Sequence, residues 1–512
     1  MAVVDRSGGE PVAFALEEAC PAIVIGDCLQ SHASQKPDQT ALYCCDETIS
    51  WRALDEASTN LARWFLDQGL AAGDRVAVHS TNSIALVQIF FALFRAGLVV
   101  VPVNVRLKPG EIRHILDHSG ARLLFSEPEL LPLAKEAGAD CPIFSSLPSL
   151  DYQETQGLPV VDPDQPALII YTSGTTARPK GVTHTHRGLL CMGVNGVGVF
   201  RHVDGPFWIN PLPMMHIAAL WITMMTTYRG TPMALLPKFD PGAVLDAIER
   251  FGCSVVGGLP TMLHMVMEEQ ALRPRQVSSL RAILGGGDAV SAAMQQRCQA
   301  MFGLPLLELY GMTEACPISC NPANAPRAGS MGVALGDAEI RVVDDEARDV
   351  PPGETGEVVV RGSHIFQSYW DDGDGTRAGL RDGWLHTGDL GSRDADGYLW
   401  FRGRKKEIIV RAGSNISPQE VEEALCPHPA ILEVGVTGVP DPVTQERVAA
   451  FVVLRDGQAA APDDLRAFAA QRLADYKLPE EFHFLDQLPK NPVGKVQRRA
   501  LKELWEQSSA KA

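Results

Sequence analysis

Directly after the apolar run 167–170, the chain reads Tyr171-Thr172-Ser173-Gly174-Thr175-Thr176-Ala177-Arg178-Pro179-Lys180-Gly181. A short apolar run of this kind predicts a buried strand, and the polar, glycine-containing stretch after it predicts a loop. The stretch combines four serine and threonine hydroxyls, two glycines and two cations. Backbone N–H groups and hydroxyls can wrap the oxygens of a polyphosphate, and a lysine can neutralise their charge. The stretch therefore predicts a phosphate-binding loop at the end of a strand.

Strand-like and helix-like segments alternate on both sides of this loop. Such alternation is typical of βαβ units and predicts an α/β fold with mainly parallel sheets. The segments read as strand, helix and strand at 75–79, 83–96 and 99–103, and again at 232–236, 241–251 and 254–257.

The pattern changes after residue 330. Short strands and turns between 330 and 401 predict a smaller β-rich lobe, and the charged run Phe401–Glu407 predicts a linker. Beyond it, Ser417 and Glu420 have the spacing of a capping box that opens a helix over 417–425. We expect a large N-terminal domain over 1–402 with two parallel-rich α/β subdomains and the β-rich lobe. A hinge is expected at 403–407, followed by a small mobile α+β C-terminal domain over 408–512.

Composition excludes several classes of function. The 512 residues carry a net charge of −17, which argues against nucleic acid or an anionic membrane as the main partner. The longest apolar stretch, 84–103, is interrupted by Gln88 and Arg95, so we expect no transmembrane segment. The N-terminus lacks the apolar core of a signal peptide, and the eleven cysteines have no zinc spacing. These features predict a cytoplasmic protein with reduced, mostly buried thiols.

Four further motifs follow the loop in order: Leu284–Asp288 (LGGGD), Leu309–Glu314 (LYGMTE), Trp384–Asp389 (WLHTGD) and Pro489–Lys495 (PKNPVGK). Each alone has an ordinary structural explanation, such as a tight turn, a helix cap or a solvated lysine. Together with the loop they resemble the adenylate-forming superfamily, which includes acyl-CoA synthetases, aryl-CoA ligases and peptide-synthetase adenylation domains. The resemblance extends over about residues 20 to 505.

The resemblance implies a reaction in two steps. A carboxylate attacks the α-phosphate of ATP and releases diphosphate, and a thiol then attacks the acyl-adenylate and releases AMP. The implied cofactors are ATP, Mg²⁺ and coenzyme A as co-substrate. Oxygen ligands suit Mg²⁺, and developing charge on phosphate needs fixed donors and cations. Lys495 is implied as the catalytic lysine that bridges carboxylate and phosphate.

The resemblance assigns the remaining nucleotide contacts residue by residue. The phosphates go to Thr172, Ser173, Gly174, Thr175, Thr176 and Lys180, and the metal to Thr175 and Glu314. The base and its surroundings go to Gly285, Gly286, Gly287, Glu308, Leu309, Tyr310, Gly311, Met312 and Thr313. The ribose goes to Asp389 and Arg404, the hinge to Lys406, and the pantetheine tunnel to Gly413. Ala177 departs from the family, which usually has glycine there.

The acyl pocket is expected next to His216, which resembles the family residue between the carboxylate and the pantetheine tunnel. Acetate-type members have tryptophan where this chain has Gly311, so the pocket should be deeper than acetate needs. We expect a medium-chain, branched, alicyclic or aromatic monocarboxylic acid, since a dicarboxylate would need a cation such as Arg229. The pocket residues are His216, Ile217, Ala218, Trp221, Gly258, Gly286, Leu309, Gly311 and Met312.

The partners are therefore small molecules: the acid, ATP and CoA. CoA is favoured as acceptor because 415–422 resembles the CoA-ligase form of this segment and no carrier domain follows Lys495. Two alternatives stay open: an adenylating enzyme that loads an acyl carrier protein, and a non-catalytic acyl-adenylate-binding protein. A phosphate-loop kinase would need Gly-x-x-x-x-Gly-Lys-Ser/Thr, which the chain lacks. The assembly state is left open, with a homodimer among the options.

Overall fold

The computed structural model describes residues 24–148, 157–172, 179–200, 203, 205–288, 290, 292–412, 414–490 and 496–509. The chain divides into two compact units. The first comprises residues 1–340 and 360–385, and the second comprises residues 341–359 and 386–512. The predicted hinge 403–407 lies inside the second unit, and its role as a hinge stays a prediction. None of the helices in the described ranges is long and apolar enough to cross a membrane.

The order of helices and strands follows the α/β pattern that the sequence predicts. The helices are α1 (Ile25–Gln35), α2 (Trp51–Asp67), α3 (Ile84–Arg95), α4 (Pro109–Ser119), α5 (Leu131–Glu136), α6 (His186–Val197), α7 (Ile217–Arg229), α8 (Pro241–Phe251), α9 (Pro260–Leu272), α10 (Ala292–Phe302), α11 (Gly373–Gly379), α12 (Pro418–Leu425), α13 (Pro462–Ala470) and α14 (Arg498–Ser509). The strands are β1 (Thr40–Cys44), β2 (Glu47–Ser50), β3 (Arg75–His79), β4 (Val99–Val103), β5 (Leu123–Ser126), β6 (Ile143–Phe144), β7 (Pro166–Thr172), β8 (Lys180–Thr185), β9 (Trp208–Asn210), β10 (Met233–Leu235), β11 (Val255–Gly258), β12 (Ala282–Gly286), β13 (Leu306–Met312), β14 (Ala315–Cys320), β15 (Val333–Ala334), β16 (Glu339–Val343), β17 (Gly356–Arg361), β18 (Ser368–Tyr369), β19 (Leu380–Arg381), β20 (Trp384–Arg393), β21 (Leu399–Arg404), β22 (Ile409–Arg411), β23 (Ser414–Ile416), β24 (Ile431–Asp441), β25 (Gln445–Leu454) and β26 (Glu481–Phe484).

A nine-stranded sheet forms one half of the first unit, in the order β15-β14-β13-β12-β11-β9-β10-β1-β2. The six strands from β13 to β1 run parallel to their neighbours. Because the carboxyl ends of parallel strands meet at one edge, the loops after β9, β11, β12 and β13 come together. This arrangement confirms the predicted parallel-rich subdomain.

A seven-stranded sheet forms the other half, in the order β18-β8-β7-β4-β3-β5-β6. The apolar stretch 84–103 resolves into α3 and β4, as predicted, and nearly all of its side chains are buried. Gly97 connects the two elements with a φ of +68°, a conformation that glycine adopts without steric cost. Burial of α3 on all sides explains an apolar run that is long without spanning a membrane.

The second unit contains an α+β region whose sheet has the order β23-β22-β25-β24, with β26 paired to β25. Its helix α12 begins at Pro418, close to the prediction, but the predicted capping box is wrong. Ser417 makes no side-chain cap hydrogen bond, and Glu420 instead binds the ammonium of Lys477 at 2.6 Å. A long-range ion pair has replaced the local contact that the spacing suggested.

Most of the free cysteines in the described ranges are buried, as expected, but the expectation of reduced thiols is wrong for Cys191, which is disulfide-bonded. Burial raises the pKa of Cys28, Cys253 and Cys316 well above the usual range of a thiol. Cys45 in the first unit and Cys426 in the second are exposed.

Gly332, at the hairpin between β14 and β15, is the position where a side chain should be least tolerated. Its φ is +78°, and a Cβ there would overlap the carbonyl carbon of Cys320. We expect Gly332→Ala to lower the free energy of unfolding by about 3 kcal/mol or more, because backbone strain and overpacking add. Gly303 has a φ of +70° but open space around it. Gly303→Ala should therefore cost only about 1 kcal/mol. Urea unfolding of both variants checks the difference, and equal costs would contradict it.

Candidate functional site

Predicted site residues lie at the carboxyl ends of neighbouring parallel strands in the first unit. Gly258 ends β11, Gly286 ends β12 and Met312 ends β13, while His216 lies in the segment after β9. Ligands of open α/β sheets bind outside these strand ends. The fold therefore brings together residues that are almost one hundred positions apart in sequence.

Three glycines at the end of β12 become progressively more accessible: Gly285 is buried, Gly286 is half-buried and Gly287 is exposed. Gly285 and Gly286 pair with Glu308 and Leu309 of the parallel strand β13. A Cβ at Gly286 would come within 2.8 Å of the Leu309 carbonyl oxygen, and Gly287 is exposed with a φ of +82°. A flat ring can approach such a strip of backbone where side chains would block it.

The strand β13 carries most of the LYGMTE motif. Tyr310 is buried, whereas Leu309, Gly311, Met312 and Thr313 are half-buried. The Glu308 carboxylate binds to other parts of the protein: it accepts hydrogen bonds from the Gly329 backbone N–H at 3.1 Å and from the Gln295 side chain.

Glu314 is the centre of a polar network. Its buried carboxylate accepts a hydrogen bond from the Tyr369 hydroxyl at 2.7 Å, and its backbone carbonyl accepts one from the Phe366 N–H at 2.7 Å. The Lys180 ammonium lies 4.6 Å from the centre of the Tyr369 ring and 2.9 Å from an Asp372 carboxylate oxygen. A carboxylate and a cation, the two charges that a metal-bound polyphosphate needs, are thus connected through one aromatic side chain.

The electrostatics of this network follow from burial and charge. Burial, followed by the charge of Glu314, raises the pKa of Tyr369 far above its ordinary value, so its hydroxyl stays protonated. The hydrogen bond from Lys180 lowers the pKa of Asp372, which stays ionised.

The phosphate-loop stretch is described only at its two ends. Thr172 ends β7 and Lys180 begins β8, and the two residues pair across an antiparallel hairpin. Ser173, Gly174, Thr175, Thr176 and Ala177 lie outside the described residues. The predicted strand before the loop is confirmed as β7.

His216 is the residue before α7 and is half-buried. Burial, with a smaller effect from the charge of Arg106, lowers its pKa to about 4, so the imidazole is neutral at physiological pH. Its segment is fixed by Asn82, which donates to the carbonyls of Leu212 and Leu236 at 2.8 and 2.9 Å. Asn82 also accepts from the Met214 N–H at 2.8 Å.

Other predicted pocket residues differ in burial. Ala218 is half-buried, and Ile217 and Gly258 are buried. Trp221 packs edge-to-face against Trp208, with ring centres 5.8 Å apart, and belongs to the hydrophobic core.

The second unit contributes its own candidate residues. The buried Asp389 receives a hydrogen bond from the Arg404 guanidinium at 3.1 Å, and the two residues pair between β20 and β21. Lys406 is exposed in the turn after β21. Gly413 and Lys495 lie outside the described residues. Lys490 and Val496, which flank the segment of Lys495, pair as an antiparallel bridge.

Sequence reasoning missed Asn82, Tyr369 and Asp372. A polar run at 80–83 directly after an apolar strand is a signal for Asn82, and the aromatic-acidic run 369–372 is a signal for the other two. Their partners are distant in sequence, so neither run identifies a contact by itself.

The fold and this arrangement define a nucleotide-binding α/β enzyme. Residues 29–370 match the model of the AMP-binding enzyme family, and residues 420–495 match that of the AMP-binding enzyme C-terminal domain. The chain belongs to the AMP-binding enzyme family.

Curated relatives cover most of the chain. A sulfoacetate–CoA ligase of Cupriavidus necator is 35% identical over 491 residues, which are 92% of this chain and 95% of that protein. A fatty acid–[acyl-carrier-protein] ligase, ScoC, of Streptomyces coeruleorubidus is 34% identical over 500 residues, 94% of this chain and 96% of that protein. The o-succinylbenzoate CoA synthetase of Bacillus subtilis, solved with ATP and a magnesium ion, is similar with a TM-score of 0.84 and 30% identity. That similarity covers 93% of this chain and 99% of that one.

The chain is an AMP-forming acid–thiol ligase of the acyl- or aryl-CoA type, which works through an acyl-adenylate. Its cofactors are ATP and Mg²⁺, and the CoA ligases among its relatives use CoA as co-substrate. The described residues fit these groups: Glu314 offers a carboxylate oxygen, Lys180 a cation, and the glycines of β12 an open backbone.

Four histidines of the first unit should make the fold sensitive to acid. Burial lowers the pKa of His79, His184, His186 and His216 to about 4. In the unfolded chain these groups bind protons below about pH 6.5. Their contribution to stability is therefore complete above about pH 6.5 and is lost as the pH falls towards 4, by up to about 1.4 kcal/mol per pH unit for each histidine.

We expect His186→Gln to flatten the decline of the unfolding midpoint between pH 6.5 and 4.5. The exposed His264 is the matched control, and His264→Gln should keep the wild-type slope. Thermal melts across this pH range measure both slopes. Equal slopes in the two variants would contradict the assignment of the acid sensitivity to buried histidine.

Proposed function

We propose that this enzyme activates a medium-chain, branched, alicyclic or aromatic monocarboxylic acid and transfers its acyl group to CoA. The observation that carries the choice of acid is the uncharged lining at the strand ends. Ala218, Leu309, Gly311 and Met312 are neutral, and His216 is neutral because its pKa is low. None of these five residues would offer a cation to a second carboxylate of the substrate, although the charge of Arg106 reaches His216.

The nucleotide is bound at the carboxyl edges of the two sheets of the first unit. Lys180 and the hydroxyls of Thr172, Ser173, Thr175 and Thr176 take the phosphates. Glu314 and Thr175 take Mg²⁺, since this ion prefers oxygen ligands and often uses one or two protein carboxylates together with phosphates. The glycines of β12 and the ring of Tyr310 flank the base.

The ribose is bound by Asp389 and Arg404. Their ion pair at 3.1 Å and the burial of Asp389 support this role, because a fixed carboxylate can accept hydrogen bonds from sugar hydroxyls. The two half-reactions use two arrangements of the C-terminal domain, with the hinge at Lys406. Lys495 serves adenylation, and Gly413 lines the pantetheine tunnel during thioester formation.

CoA is the proposed acceptor, and loading of an acyl carrier protein is the second candidate. The resemblance of 415–422 to the CoA-ligase form supports CoA. The name of the relative ScoC, which includes an acyl carrier protein, supports the alternative.

The proposed acid is tested with a carboxylate panel on the wild type and on Gly311→Ala. A Cβ at position 311 would lie 3.3 Å from the Ala315 carbonyl oxygen and 3.4 Å from the Cys316 sulfur, so it fills a confined space. We expect kcat/KM for the longest accepted acids to fall by about 10-fold or more, and for the shortest to change little.

Diphosphate release across the panel, with CoA or holo-carrier protein supplied separately, provides the measurement. Faster turnover of dicarboxylates than of monocarboxylates would contradict the proposed acid. Consumption of the adenylate by carrier protein but not by CoA would show that carrier protein is the acceptor. A uniform loss across all acids in Gly311→Ala would remove residue 311 from the pocket.

Lys495→Ala should suppress adenylation by about two to three orders of magnitude, since one cation at the transition state is worth about 3–4 kcal/mol. Thioester formation from preformed acyl-AMP should be largely retained. Single-turnover assays of the two half-reactions measure the separation. Lys502→Ala is the control, because this lysine of the same domain is paired with Glu446 at 3.1 Å. Equal loss in both half-reactions would refute the two-arrangement mechanism.

A further inference from the structure

Tyr369 is held rigidly in the first unit. As part of β18 it pairs with Val182 of β8, and its backbone N–H donates to the Thr376 hydroxyl at 2.9 Å. Its ring packs against Phe366, with centres 4.9 Å apart. A side chain fixed on its backbone and on its ring can position other groups with little loss of conformational freedom.

The hydroxyl end of Tyr369 binds Glu314. The donor–acceptor distance is 2.7 Å, and the carboxylate is buried. A hydrogen bond to a buried carboxylate fixes the direction of its second oxygen and is stronger than a bond between neutral groups. This contact orients the group that we assign to Mg²⁺.

The side chain of Lys180 lies over the ring face of Tyr369. The ammonium lies 4.6 Å from the ring centre, within the range of a cation–π contact, and Asp372 anchors it at 2.9 Å. The backbone reinforces the placement, because the Trp370 N–H donates to the Gly181 carbonyl at 2.7 Å. The start of β8 is therefore joined to the segment that contains Tyr369.

We propose that Tyr369 is a positioning residue that sets the spacing between the metal-binding carboxylate of Glu314 and the phosphate-binding ammonium of Lys180. The proposal rests on the proposed roles of these two residues. In this role the Tyr369 hydroxyl increases the affinity for the metal, and the Tyr369 ring increases the affinity for the phosphates. A purely structural tyrosine would not divide its effects in this way.

The test compares Tyr369→Phe with Tyr369→Leu by calorimetric titration of ATP at a series of Mg²⁺ concentrations, without acid or CoA. Tyr369→Phe keeps the ring, and we expect the Mg²⁺ concentration for half-maximal ATP binding to rise about 10-fold. Tyr369→Leu also loses the ring, and the dissociation constant for ATP at saturating Mg²⁺ should rise by about a further threefold. The matched control is Tyr43→Phe. This tyrosine packs on Phe207 and Phe251 in the same unit, and its variant should keep the wild-type Mg²⁺ dependence.

A double-mutant cycle with Glu314→Gln separates the possible failures. If the proposal is correct, Tyr369→Phe no longer raises the Mg²⁺ concentration for half-maximal ATP binding when Glu314→Gln is already present. This result is expected even if the variants differ in thermal stability. If Glu314→Gln shifts the Mg²⁺ dependence and Tyr369→Phe does not, the positioning role is overturned while the proposed function stands. If Glu314→Gln leaves the Mg²⁺ dependence unchanged, the metal role of Glu314 and the positioning role fall together.

Discussion

The site of this enzyme depends on one turn, at residues 313–315, which is held by β8 of the seven-stranded sheet and by the segment just before β18. His184 on β8 binds the Thr313 carbonyl at 2.8 Å, and the Phe366 N–H binds the Glu314 carbonyl at 2.7 Å. The turn itself continues β13 of the nine-stranded sheet. Since each sheet supplies part of the proposed nucleotide contacts, these hydrogen bonds keep the two parts in register. Buried hydrogen bonds to backbone carbonyls also fix position more strictly than apolar contacts do.

The positive charge needed to bind phosphate must come from individual residues near the site, not from the net charge of the chain. The whole chain carries −17, so attraction of an anionic nucleotide cannot come from its overall field. Lys180 provides a cation next to the proposed phosphates, and Asp372 keeps it placed before they arrive. His216, in contrast, is neutral. It therefore adds no fixed charge beside the substrate acid, which loses its own charge when it becomes an acyl group.

Local sequence patterns predicted most of the fold. Alternating segments identified the parallel sheets, and the interrupted run 84–103 was correctly separated into α3 and β4. The capping box at Ser417 was wrong, because Glu420 found a partner, Lys477, that is 57 positions away. For the same reason the contacts of Asn82 and Tyr369 could not be predicted: their residue types are visible in the sequence, but their partners are brought near only by the fold. The predicted roles of Lys495 and Gly413 rest on family resemblance alone, whereas that of the loop 173–177 rests also on its hydroxyl and glycine content.

The two cysteines that are exposed in the described part of the chain offer a natural pair of attachment points for spectroscopic probes. Cys45 lies in the first unit and Cys426 in the second. The pKa of Cys426 is raised, as are those of Cys28, Cys253, Cys298, Cys316 and Cys320, but these five are buried and Cys426 is exposed. Thiol reagents react with an accessible thiolate, so burial protects the five buried cysteines from labelling. Donor and acceptor dyes on the exposed pair would report changes in separation during turnover, without engineered cysteines.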